Sequence, residues 1–167
     1  ICIDSPDNRE QGNLVGVGAD ARTQLGNQAN GIRIGGSNNT IGPNNIISNN
    51  QHSGLLLLGS YGVVQGNTFE RNGRSGICVL GSNATIDRNT ISGNGNSAGP
   101  WPECAIRGGI VITDTNDVLV TSNTITQNND GGVAIYRGNS NRILANSISS
   151  NQGGGIRLLS GANDNLV

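Results

Sequence analysis

The chain has 167 residues and a formal net charge of −1, with 11 acidic residues balanced by ten basic ones that are all arginine. Glycine (27) and asparagine (26) dominate and aromatics make up 2 %, yet Ile, Leu, Val and Phe number 41, more than a chain held disordered by low hydrophobicity and self-repulsion carries. Sparse, scattered Arg leaves no footprint for nucleic acid or an acidic membrane surface, and the longest apolar run, Leu55-Leu56-Leu57-Leu58, is far too short for a membrane span.

In chain order, residues 1–26 read as a less regular first turn, and a repeat then takes over. A Gly followed by apolar-x-apolar recurs as Gly31-Ile32-Arg33-Ile34, Gly54-Leu55-Leu56-Leu57, Gly76-Ile77-Cys78-Val79, Gly109-Ile110-Val111-Ile112, Gly132-Val133-Ala134-Ile135 and Gly155-Ile156-Arg157-Leu158, at spacings of 23, 22, 33, 23 and 23 residues. Behind each of the first five comes an apolar residue three positions before an Asn: Ile41 to Asn44, Val64 to Asn67, Ile86 to Asn89, Val120 to Asn123 and Ile143 to Asn146. A third apolar position follows at Ile46, Phe69, Ile91, Ile125 and Ile148, and three residues later another Asn at Asn49, Asn72, Asn94, Asn128 and Asn151.

Alternation within each short element is the period of a strand, and the Gly, Asn and Ser between elements tolerate left-handed and tight-turn conformations. Each unit therefore reads as three short strands joined by turns. Alone it cannot enclose a core, so it must stack on its neighbours and pair each strand with the copy above and below. The expected fold is all-β: a right-handed parallel β-helix of about six turns forming one solenoid over 1–167, with the recurring Asn as ladders that bond backbone and the next Asn.

The Asn-x-Ile-x-x-Asn-x-x-x-Gly-Ile-x-Leu pattern, from about Asn27 to Val167, resembles the parallel β-helix repeat of the pectate-lyase-like superfamily. The phrases Gly12-Asn13-Leu14-Val15-Gly16, Leu25-Gly26-Asn27 and Thr40-Ile41-Gly42 are similar to those of large bacterial surface or secreted β-helix proteins. The resemblance implies an extracellular or cell-surface setting in bacteria and a polysaccharide or cell-surface glycan as partner. It leaves open a rigid scaffold or carbohydrate-contacting, adhesive module, a carbohydrate-active lyase, hydrolase or epimerase, and an ice-binding solenoid; fold does not choose among them. Calcium belongs to the lyase alternative alone, and no other cofactor is expected.

Alternation also assigns faces. Arg33, Leu56, Cys78, Val111, Ala134 and Arg157, with Gly35, Leu58, Leu80, Thr113, Tyr136 and Leu159, point outward from the first strand of their units, giving an exposed apolar strip between two arginines. The one long spacing places an insertion at 96–107, where Trp101 stands between Pro100 and Pro102. Trp101 and Ile106 either fold back over Leu80 and Val111 or offer a ring for sugar stacking. Cys78 on the strand before the insertion and Cys104 within it are placed for a disulfide, leaving Cys2 unpaired. His52, Arg74, Trp101, Glu103, Arg107 and Asp130 fall in equivalent turns and line one edge as the candidate ligand site.

Cross-turn Glu70 and Asp87 are the best candidate for a hydrolytic carboxylate pair. The triplets around Thr68, Thr90, Thr124 and Ser147 form the hydroxyl array of the ice-binding alternative. Three Cys and one His give no metal-site spacing, so no metal is expected. The start at Ile1, without a signal peptide or an end cap, fits an excerpt of a longer chain whose ends are covered by further β-helix turns or a neighbouring chain.

Overall fold

A computed structural model describes residues 1–97, 104 and 106–167. Its strands are β1 (Cys2–Ile3), β2 (Arg9–Glu10), β3 (Leu14–Val15), β4 (Ile32–Ile34), β5 (Thr40–Ile41), β6 (Ile46–Ser48), β7 (Leu55–Leu57), β8 (Val63–Gln65), β9 (Thr68–Glu70), β10 (Ser75–Val79), β11 (Thr85–Asp87), β12 (Thr90–Ser92), β13 (Gly108–Thr113), β14 (Leu119–Thr121), β15 (Thr124–Thr126), β16 (Val133–Tyr136), β17 (Arg142–Leu144), β18 (Ser147–Ser149) and β19 (Ile156–Leu159). Every third strand joins the same sheet. Sheet A stacks β1, β4, β7, β10, β13, β16 and β19, sheet B runs from β2 to β17, and sheet C from β3 to β18. Each strand pairs in parallel with its counterpart one turn away, for instance Ile77 with Leu55 on one side and Ile110 on the other. No described residue is helical. The result is a right-handed parallel β-helix of six turns, with β19 opening a seventh.

The alternation read from the sequence sets the interior. In the third turn Leu55 and Leu57 of sheet A, Val64 of sheet B and Phe69 of sheet C are fully buried, and the fourth turn repeats them as Ile77, Val79, Ile86 and Ile91. The glycine opening the sheet A strands at Gly31, Gly54, Gly76, Gly109 and Gly132 is required by close approach. A Cβ at Gly76 would lie 2.7 Å from Ile91 Cγ2, 2.8 Å from the Gly109 carbonyl and 2.9 Å from Asn94 Nδ2.

Two asparagine ladders turn the corners. Between sheets B and C the column is Asn13, Asn45, Asn67, Asn89, Asn123 and Asn146, each Nδ2 donating to the Oδ1 of the next at 2.8–3.1 Å. Between sheets C and A it is Asn27, Asn50, Asn72, Asn94, Asn128 and Asn151, at 2.7–3.0 Å. From Asn45 and Asn50 onward, every ladder amide also donates to a backbone carbonyl one turn back, as Asn72 does to Ile47. The residue before each of the six Asn of the first column has a positive φ: Gly12, Asn44, Gly66, Arg88, Ser122 and Ala145. Four of these are not glycine, so the ladder imposes a left-handed backbone that their side chains disfavour.

The first repeat copy is displaced from the expected register. Ile47, not Ile46, is the buried core residue, and it pairs with Phe69, while Ile46 faces outward opposite Thr68. Asn45 and Asn50, not Asn44 and Asn49, are the ladder members; Asn44 and Asn49 are the positive-φ residues before them. The corner through Gly42 and Pro43 is one residue longer than its successors: Ile41 pairs with Val64 while Ile47 pairs with Phe69.

Residues 1–15 already give one strand to each sheet. The irregular part of the beginning is the connection from β3 to β4, residues 16–31, with an antiparallel bridge between Val17 and Gln24. It leaves from the same edge, between sheets C and A, as the later insertion.

Candidate functional site

The outward face of sheet A differs most from the sequence expectation. Leu56, Cys78 and Val111 do point away from the main core, but they are 2 %, 0 % and 0 % exposed. Together with Cys104 they form a second apolar cluster, with Leu58, Leu80 and Ile106 packed against it. The strip is therefore covered, with Cys104 and Ile106 packed on it. Cys78 and Cys104 are joined by a disulfide. The loop it closes, 26 residues in sequence separation, corresponds to about 3.5 kcal/mol of chain-entropy stabilisation. Cys2 is a free, exposed thiol. Trp101 and Glu103 lie outside the described residues.

The other edge residues, His52, Arg74, Arg107 and Asp130, share the corner between sheets C and A. His52 is half-buried, and its carbonyl accepts from the Arg74 amide at 3.2 Å, so the two hold equivalent positions one turn apart. Arg74 is buried. Arg107 Nη1 donates to the Ser97 carbonyl at 3.0 Å. Asp130 turns the other way, accepting from Arg157 Nη1 at 2.6 Å in a pair whose side chains are 27 % and 26 % exposed.

That pair belongs to a grouping the sequence reading did not assemble. Tyr136 ends β16 on the outward face, in register with Thr113 on one side and Leu159 on the other. The Arg137 guanidinium lies 4.5 Å from its ring centroid and bonds Asp114 at 2.8 Å. The Asp130–Arg157 pair stands toward the opposite edge of the same strands, with Arg157 beside Ala134. A half-buried phenol is thus bracketed by two arginine–carboxylate pairs that each span adjacent turns. The signal was in the sequence, since strand alternation puts Tyr136 and Arg157 outward and Asp114 stands one 23-residue repeat before Arg137, but Asp130, 27 residues before Arg157, sits in a turn that the repeat does not align with it.

The proposed carboxylate pair does not form. Glu70 is on sheet C and bonds Arg71 at 3.0 Å; Asp87 is on sheet B and bonds Arg88 at 2.8 Å. Each carboxylate is held by the arginine that follows it in sequence. On sheet C, Thr68, Thr90, Thr124 and Ser147 do stack in register, but Ile46 precedes them, and Glu70 interrupts the second column of Ser48, Ser92, Thr126 and Ser149. Among the described residues, no three His, Cys, Asp or Glu side chains gather as a metal site. No helix among them is long and apolar enough to cross a membrane.

Comparison with known families agrees with the stacked sheets: residues 19–167 match the right-handed β-helix region. The chain belongs to that family. The match begins within the long connection after β3, so the family's repeat accounts for the turns from β4 onward while the first three strands continue the same sheets. No curated protein and no solved structure matches this β-helix chain.

Proposed function

We propose that this β-helix is a rigid extracellular scaffold whose sheet A face contacts carbohydrate without catalysing its cleavage. The observation that carries the reading is Tyr136 set between the Asp114–Arg137 and Asp130–Arg157 pairs. An aromatic ring offers an apolar face to a sugar, while arginine and carboxylate groups held in place by each other donate to and accept from its hydroxyls. Thr113, Tyr136 and Leu159 rise one residue per turn. Their step of about 4.8 Å is close to the advance of one sugar ring, which suits an extended polysaccharide laid along the rod. The Cys78–Cys104 disulfide supports an oxidising, extracellular setting. The carboxylates of Asp4, Glu70, Asp87, Asp114 and Asp130 are each ion-paired with an arginine, which supports a non-catalytic role.

The inward side chains Ile156 and Leu158 of the last strand are 38 % and 45 % exposed, whereas their counterparts Val133 and Ile135 are fully buried. The functional reading is tested by passing the protein over immobilised neutral and uronate-containing oligosaccharides. Retention by at least one is expected, with Tyr136→Ala and Arg157→Ala each weakening it about ten-fold, or about 1.4 kcal/mol. Unchanged affinity in both variants would reject this face, and release of cleaved products by the wild-type chain would reject the non-catalytic role.

A further inference from the structure

The column of Thr113, Tyr136 and Leu159 is flanked by charge, and the balance of sign limits what lies along it. Residues 108–167 hold four carboxylates, Asp114, Asp117, Asp130 and Asp164, against three guanidiniums, Arg137, Arg142 and Arg157, with no His or Glu. The two arginines beside the column are both matched: Arg137 Nη2 donates to Asp114 at 2.8 Å and Arg157 Nη1 to Asp130 at 2.6 Å. Arg142 belongs to β17 of sheet B, and Asp117 and Asp164 stand in the connections from sheet A toward sheet B. These turns therefore offer a polyanion no surplus of positive charge. A sugar hydroxyl both donates and accepts, so an arginine–carboxylate pair serves it in either sense. A uronate carboxylate only accepts; it meets one aspartate for every arginine, and reaching the arginine means displacing that aspartate or bearing its repulsion.

We propose that the sheet A face takes a neutral polysaccharide, a chain of hydroxylated rings without carboxylates, and rejects polyuronates through Asp114 and Asp130. The inference rests on the carbohydrate reading above and narrows it to one substrate class. Tyr136 gives the apolar contact that rings of both classes share, so it adds affinity without choosing between them. The choice lies with the two aspartates, since a repulsive element sets specificity as directly as an attractive one. Asp130 carries the larger part: its pair with Arg157 is 27 % and 26 % exposed, against 52 % and 55 % for Asp114 and Arg137, so solvent and salt screen it less.

The test titrates the full chain, its Asp114→Asn/Asp130→Asn double variant and Tyr136→Ala with soluble β-glucan, xylan, mannan and polygalacturonate. For the wild type, the tightest neutral polymer is expected to bind about ten-fold or more better than polygalacturonate. That neutral affinity is expected to change by less than about two-fold between about 0.1 M and about 1 M salt. The double variant frees both guanidiniums and is expected to gain about ten-fold or more for polygalacturonate at about 0.1 M salt, a gain that about 1 M salt erases. Polygalacturonate bound by the wild type within about ten-fold of the best neutral polymer, or more tightly than it, and lost in Tyr136→Ala, would overturn the neutral class while leaving the carbohydrate reading of the face standing. A folded double variant with no gain for polygalacturonate would overturn the role of the aspartates; the wild-type ratio needs no variant and decides the class even if the double variant does not fold. Binding to none of the four polymers, or binding that Tyr136→Ala leaves unchanged, would overturn the inference together with the reading beneath it.

Discussion

Asn44 and Asn45 are neighbours of the same type with opposite jobs. Asn45 is fully buried: its Nδ2 donates to the Glu10 carbonyl and to Asn67 Oδ1, and its Oδ1 accepts from the Asn13 backbone and side chain. Asn44 is exposed with φ 67. Removing Asn45's amide strands several polar groups at about 1–3 kcal/mol each, so Asn45→Ala is expected to cost about 3–5 kcal/mol in urea unfolding. Asn44→Gly relieves a left-handed backbone and is expected to lie within about 0.5 kcal/mol of wild type or above it. The reverse ranking would restore the displaced register. The sequence could not decide this point, because Asn44-Asn45, Ile46-Ile47 and Asn49-Asn50 are all doublets and a slip by one residue preserves every residue type. In the later copies Asn67, Asn89, Asn123 and Asn146 stand alone, and there the ladder was legible from spacing.

At the scale of the element, a strand's alternation tells which way a side chain points and not whether it meets water. Leu56, Cys78 and Val111 were assignable as outward from the sequence, but they are packed against Cys104 and Ile106, which lie outside the repeat, and no periodicity reports where such residues pack. For the same reason Tyr136 and Arg157 were visible as outward positions, whereas their grouping with Asp114 and Asp130 depends on turn geometry. Val111→Ala removes two methyl groups from a fully buried site and is expected to cost about 2 kcal/mol. Thr124→Ala, equally outward but solvent-exposed on sheet C, is expected to stay within about 0.5 kcal/mol. Equal and small effects of the two in denaturant titration would mean that the sheet A strip is open. The strands themselves were the most legible elements, since the Gly-apolar-x-apolar triplets mark β4, β7, β10, β13, β16 and β19 directly.

For the whole molecule, stacking converts a quarter's share of aliphatic residues into a continuous core. Each turn contributes a handful of inward side chains, and because the next turn repeats them at the same positions, none needs a partner from elsewhere in the chain. Glycine and asparagine, so abundant in composition, are consumed at close approaches and corners. Every surface feature then becomes a column: the tyrosine between its ion pairs, the hydroxyls of sheet C and the covered strip all depend on each turn adding one level in register. The most direct test places nitroxide labels on the outward column of sheet C, one at Ser147 and the other in turn at Leu14, Ile46 and Thr68, and measures the distances by pulsed electron resonance. These positions lie five, four and three strand steps from Ser147. Steps of about 4.8 Å predict separations near 24, 19 and 14 Å, falling by one step each time. Distances that do not fall in equal steps, or a Leu14 label that lies nearer to Ser147 than the Ile46 label, would contradict the stacked β-helix and every surface assignment built on it.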